Sequence, residues 1–164
     1  MNEIPLGQHK MEIGLHLRQA MLLNGMLYNS EVWHAISEDE LRMLETVDEH
    51  LLRSLVNGHS KTKEFLYLEA GAIPIRFIIS SRRLMYLQTI LKRPEEELTK
   101  RVYLAQKAEA VKGDFAKLVK ADIELIGGNL EEDYISMKSK TAFKEDIIDQ
   151  VRKAAFMYLK NLHK

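Results

Sequence analysis

Among its 164 residues the sequence has no cysteine. That excludes disulfides, thiol catalysis and zinc sites built on thiolates, and it fits a reducing compartment. Charge of one sign is also missing: 24 basic and 24 acidic side chains give a formal net charge of zero. No global field therefore draws the chain to nucleic acid or anionic membrane, and any such binding must come from a local patch. No apolar run reaches the roughly 18 residues of a membrane span, and the opening MNEIPLGQHK lacks the apolar core of a secretory signal. The expected location is intracellular, cytoplasmic or nuclear, with no membrane partner. Phosphate loops of the GxGxxG or GxxxxGK type are absent, and Gly127-Gly128 has no strand before it. His9, His16, His34, His50, His59 and His163 never fall in an HExxH or similar spacing, so neither a metal site nor a cofactor is expected. Asp48, Glu49 and His50 are adjacent, but helical neighbours point about 100° apart, so they read as a solvated face rather than an acid/base pair. No catalytic residue emerges. Alternating strand patterns are missing as well, which makes the fold all-α, a bundle of about six to seven helices.

What is present is an ordinary globular composition, 46% hydrophobic and 29% charged, long enough for one domain or two small helical lobes. Residues 1–10 read as a truncated connection, residues 11–93 as one lobe and residues 94–164 as a second. The central stretch runs from Glu64 to Leu91. Lys63 to Ala70 reads as a short helix, with Ser60 as its cap and Gly71 placed for a left-handed stop. Pro74 suits the first turn of the next helix. From Ile75 to Leu91 apolar residues surround most of the helical wheel while Arg76, Ser80 and Arg83 share a narrow strip, the pattern of a helix inside a bundle.

The remaining helices follow from periodicity. Met11 to Tyr28 carries Ile13, Leu17, Met21 and Leu27 on one face and Leu15, Leu22 and Met26 on another, predicting a largely buried helix. Ser37 to Glu40 has the form of a capping box, followed by Leu41, Leu44, Val47, Leu51 and Leu55 at helical spacing and a stop at Asn57-Gly58. Beyond Pro94, Leu98, Val102 and Ala105 give a weak apolar face. A helix after Gly113 turns Phe115, Leu118, Val119, Ile123 and Ile126 inwards, up to Gly127-Gly128. Asn129 to Lys138 predicts a turn or two of helix. A final helix carries the stripe Phe143, Ile147, Val151, Ala154, Tyr158 and Leu162.

Two polar features have alternative readings. Arg76, Arg82 and Arg83 stand on an otherwise apolar helix. Arginine suits bidentate phosphate contact, but half-buried arginines are usually paired, here with Glu31, Glu64 or Glu69. Lys61, Lys63 and Arg53 extend a basic surface or simply form a solvated face. Trp33 reads as a core or lobe-junction anchor in preference to a stacking platform for bases.

The stretch LRQAMLLNGMLYNSEVWHAISEDELRMLETVDEHLLRSLVNG, followed by KEFLYLEAGAIPIRFIISSRRLMYLQTIL and by KGDF at Lys112 to Phe115, carries a resemblance. It resembles the region just C-terminal to the polymerase palm in reverse transcriptases of non-LTR (LINE-type) retrotransposons. The similarity is most specific at Asn29 to Trp33, at Leu66 to Glu69 with Gly71, Ile73 and Pro74, and at Arg82-Arg83-Leu84. The resemblance implies a helical thumb and the segment after it, which support RNA-templated DNA synthesis by gripping the primer–template duplex. The family as a whole is an RNA-directed DNA polymerase. Its catalytic aspartates, with the Tyr-x-Asp-Asp turn, and the cysteine–histidine knuckle of some members have no counterpart here. The implied partners are RNA or an RNA–DNA duplex and a palm domain. Arg76, Arg82, Arg83, Lys61, Lys63 and Arg53 are the candidate phosphate contacts. The alternative is a helical protein-interaction or self-association module, forming a homodimer and binding no nucleic acid.

Overall fold

A computed structural model describes residues 6–109 and 111–162, with side chains from residue 9 onwards. Among the described residues there is no strand, and the bundle contains eight α-helices of six residues or more. In chain order these elements are α1 (Leu6–Leu17), a π-helical segment (Arg18–Leu23) and a short α2 (Asn24–Met26). They are followed by α3 (Glu38–Leu55), α4 (Lys63–Ala70), α5 (Ile75–Leu91) and α6 (Leu98–Ala108). The chain ends with α7 (Phe115–Leu125), α8 (Glu132–Met137) and α9 (Lys140–Leu162). Two compact units share these elements: residues 1–28, 37–75 and 156–164 make the first, residues 29–36 and 76–155 the second. Neither is a continuous stretch of sequence, so a single boundary at 93/94 does not describe them.

The caps show why the helices begin and end where they do. Ser37 forms a capping box with Glu40: the Glu40 amide donates to Ser37 Oγ at 3.2 Å and the Ser37 amide to Glu40 Oε2 at 2.8 Å. Gly71 closes α4 at φ 61°, a conformation that strains any residue with a Cβ. Thr62, not Ser60, caps the start of α4, its Oγ1 accepting from the Phe65 amide. The connection expected over residues 1–10 falls partly outside the described residues, which exclude residues 1–5. From Leu6 onwards the chain is already helical.

Three faces differ from the expected ones, each for a physical reason. In the first helical stretch the buried row is Gly14, Arg18, Leu23 and Leu27. Met11, Leu15, Leu22 and Met26 are half-buried beside it, while Ile13, Leu17 and Met21 face solvent. The step from 18 to 23 is five residues because the π-helical turn inserts one extra, which a constant 3.6-residue period cannot anticipate. In α6, Leu98, Val102 and Ala105 all point outwards. That helix is held instead by Tyr103, whose ring meets Phe115 edge-on at 6.1 Å, and by Lys100, whose Nζ donates to the carbonyls of Leu91 and Arg93 at 3.0 Å each. In α9 the buried row continues from Phe143, Ile147 and Val151 to Ala155 and Leu159, strict four-residue steps, instead of to Ala154, Tyr158 and Leu162.

The core of the first unit joins Leu52, Val56, Leu66, Tyr67, Ala70 and Leu159. The second unit buries Phe77, Leu84, Leu87, Val119, Ile135, Phe143 and Ile147. As its apolar wheel predicts, α5 has Ile75, Phe77, Ile79, Leu84, Leu87 and Ile90 inside.

Candidate nucleic-acid interface

The six candidate cations fall into two groups, one in each unit. In the first unit, Arg53 on α3 donates from Nη1 to the carbonyls of Gly58 at 3.1 Å and Lys61 at 2.7 Å, and its Nη2 lies 3.7 Å from Glu49. Lys61 pairs with Glu69 at 2.5 Å, with its ammonium 4.6 Å above the Phe65 ring. Lys63 bonds to Glu45 and lies 3.3 Å from Glu49. Burial pulls the Lys63 pKa down, but hydrogen bonding and charge from Glu45 and Glu49 outweigh it and hold the ammonium above its ordinary range. These three cations therefore staple α3, the loop after it and α4 into one piece.

In the second unit, Ser80 and Arg83 of the strip turn towards α7 instead of towards solvent. Arg83 is 5% exposed and pairs with Asp122, Nη1 to Oδ2 at 2.7 Å, while Ser80 Oγ donates to Asp122 Oδ1 at 2.7 Å. Burial raises the Asp122 pKa, opposed by the Arg83 charge and by the hydrogen bonds from Ser80 and Arg83. The paired-arginine reading thus holds for Arg83, but the carboxylate is Asp122 and none of the glutamates considered. Arg83 Nε is buried without a hydrogen-bond partner. Arg76 and Arg82 are half-buried and keep access to solvent.

The residues that carry the resemblance mostly build turns and core. Asn29 takes the left-handed conformation at φ 55°, ahead of a 3-10 turn over Ser30–Val32, and Ser30 is fully buried. Trp33 is half-buried. Leu66 and Tyr67 are fully buried, and Tyr67 Oη donates to Asp48 Oδ2 at 2.9 Å.

Asp48 was expected on a solvated face, yet it is fully buried. Arg18 grips it with both arms, Nε to Oδ1 at 2.6 Å and Nη2 to Oδ2 at 2.7 Å, and Nη2 also donates to the Ile73 carbonyl at 2.9 Å. This bidentate geometry satisfies the charges that burial would otherwise leave exposed to a low dielectric. Asp48 stands on the same row as Leu41, Glu45 and Leu52, and that position was the available signal. Asp122 likewise stands between Val119 and Ile126 on the buried row of α7.

Two clefts lie within the second unit. One, of about 590 Å³, has Leu87, Tyr103 and Val119 on its walls with Lys107, Lys117 and Lys120 around them. The other, of about 460 Å³, is bounded by Gly127 to Leu130, Tyr134, Gln150 and Lys153. Among the described residues no group of three or more His, Asp or Glu side chains could hold a metal ion, and no helix is long and apolar enough to cross a membrane. No family model matches this chain, and neither does any curated protein or solved structure.

Proposed function

We propose that this chain is a non-catalytic helical module of the thumb and post-palm type, which supports RNA-templated DNA synthesis by contacting the backbone of a primer–template duplex. The observation that carries the reading is the extended resemblance to LINE-type reverse transcriptases, whose signature residues fall at the turns and core positions of an all-helical bundle. Phosphate contacts position a duplex without reading its sequence, so a module of this kind needs exposed cations rather than a shaped pocket. Arg76 and Arg82 on α5 are half-buried, each with solvent access and a guanidinium suited to bidentate phosphate contact. Arg83 has a structural part, holding α7 through Asp122.

Fluorescence anisotropy with a short labelled RNA–DNA duplex tests this at two salt concentrations. The expected result is binding that weakens by orders of magnitude as salt rises, as counterion release requires. Arg82→Ala should weaken it further. Arg83→Ala should instead destabilise the fold by about 3–5 kcal/mol, because it strands a buried carboxylate. Absence of binding at low salt would overturn the reading.

A further inference from the structure

The helical stretch from Leu6 to Met26 has apolar side chains on two faces, and its own unit uses only one. Ile13, Leu17 and Met21 are 59%, 50% and 72% exposed, and on α3 Met43 and Val47 are 70% and 49% exposed. These two rows belong to one surface. A Cβ on Gly14 would meet Leu55, and Arg18 grips Asp48, so α1 and α3 run side by side in opposite directions. Around the α3 wheel, the side that meets α1 continues through the half-buried Leu44 and Leu51 to Val47 and Met43. Around α1, the side that meets α3 continues, away from Met11 and Leu15, through Met21 and Leu17 to Ile13. Both exposed rows therefore flank the same shallow groove. The π-helical turn brings Leu23 into the buried row and leaves Met21 in solvent, a type of helix defect that recurs at functional sites.

We propose that this α1–α3 face is a two-fold interface that joins two copies of the chain. Its rows, Ile13, Leu17, Ala20 and Met21 with Met43 and Val47, contain no ionised side chain, so packing one copy on another buries no like charges. The chain's net charge of zero gives no long-range repulsion between copies. Around the two wheels the ionised neighbours of these rows are Lys10 at one end of the surface and Glu40 at the other. A two-fold axis through the middle sets one end of each copy against the opposite end of the other, so both signs find a complement. Two antiparallel helices in each copy would then pack as a four-helix layer. The 18 residues of α3 make it about 27 Å long, and two helices each about 10 Å across present about 500 Å² in projection. That is less than the roughly 800 Å² each partner contributes to a standard interface, which makes this a weak dimer with a dissociation constant in the micromolar range.

Sedimentation velocity with light scattering, on protein free of nucleic acid and from about 1 to about 200 μM, is the test. The expected result is a mass that climbs from 19.0 kDa towards twice that value with concentration. Met21→Lys combined with Val47→Lys should hold the chain at the monomer mass throughout, with its helical circular dichroism unchanged. Leu98→Lys, at a position on α6 that is 74% exposed, should leave the dimer intact. A wild-type monomer at every concentration would overturn the proposal, as would a dimer that survives the paired lysine substitutions or an assembly that grows beyond two copies.

Discussion

Removing Arg18 or Asp48 alone leaves an ion in a site that water does not reach, whereas removing both leaves only a space to fill. Arg18→Ala is therefore expected to cost about 3–5 kcal/mol in urea unfolding. Arg18→Met with Asp48→Leu should recover most of that loss. A remainder of about 1–3 kcal/mol reflects the Tyr67 hydroxyl, which then has no acceptor, and adding Tyr67→Phe should remove it. Tyr67 also sets the response to alkali, together with Tyr103, whose hydroxyl donates to Glu132 at 2.7 Å. Burial first, and then the neighbouring carboxylates, push both phenols well above their ordinary value of 10.0. Above that pH the folded chain keeps protons that the unfolded chain has lost. The stability these groups support is thus complete below pH 10 and falls as pH rises, by about 1.4 kcal/mol per pH unit for each tyrosine. In a phenolate absorbance titration, two of the six tyrosines should ionise only as the fold is lost. Tyr67→Phe should lower the alkaline slope of the unfolding free energy by about 1.4 kcal/mol per pH unit.

The π-helical turn decides which side chains of the first helical stretch reach the core, and deleting one residue there tests it. Loss of Ala20, which is exposed, would convert the step from Arg18 to Leu23 into an ordinary four-residue one and keep the rest of the buried row in phase. The expected cost in melting temperature is small. Loss of the equally exposed Thr46 from α3 should be severe, because it rotates Asp48 and Leu52 about 100° out of the core relative to Leu41. The same turn explains how much of the fold was legible in the sequence. Elements whose signals are local were readable: the Ser37 capping box, the Gly71 stop, the apolar wheel of α5. Faces that depend on constant periodicity were not readable where the period breaks, as at Arg18, or where a helix docks through polar groups, as α6 does through Lys100 and Tyr103. Charge was the least legible. In sequence Asp48 and Asp122 resemble surface carboxylates; their place on a buried helical row was the local signal, while their partners Arg18 and Arg83 lie 30 and 39 residues away. For the candidate site the consequence is direct. Residue type selected six cations, but their partners, set by tertiary packing, make Arg53, Lys61, Lys63 and Arg83 into structural ties.

At the scale of the whole chain, each unit is assembled from separate stretches of sequence, and the end of α9 belongs with the first. Periodicity shows that a row on α9 is buried, but it cannot show whose core receives each side chain. Leu159, 4% exposed, packs among Leu52, Val56, Leu66, Tyr67 and Ala70, whereas Phe143, Ile147 and Val151 on the same helix belong to the second unit. Leu159→Ala should therefore remove about 2–5 kcal/mol, and that loss should fall on the first unit. Amide hydrogen exchange resolves the two directly, since protection is lost by cooperative blocks and a loss of about 2 kcal/mol speeds exchange roughly thirty-fold. Amides of α3 and α4 should exchange faster, while those in α5 beyond Arg76 and in α7 keep their rates. Trp33, the single tryptophan, lies in the second unit, so its fluorescence under denaturant should report a midpoint that the substitution does not move. Equal loss of protection in all these helices, with the Trp33 midpoint falling in step, would mean that the units unfold as one cooperative block, because coincident transitions are the mark of two-state behaviour.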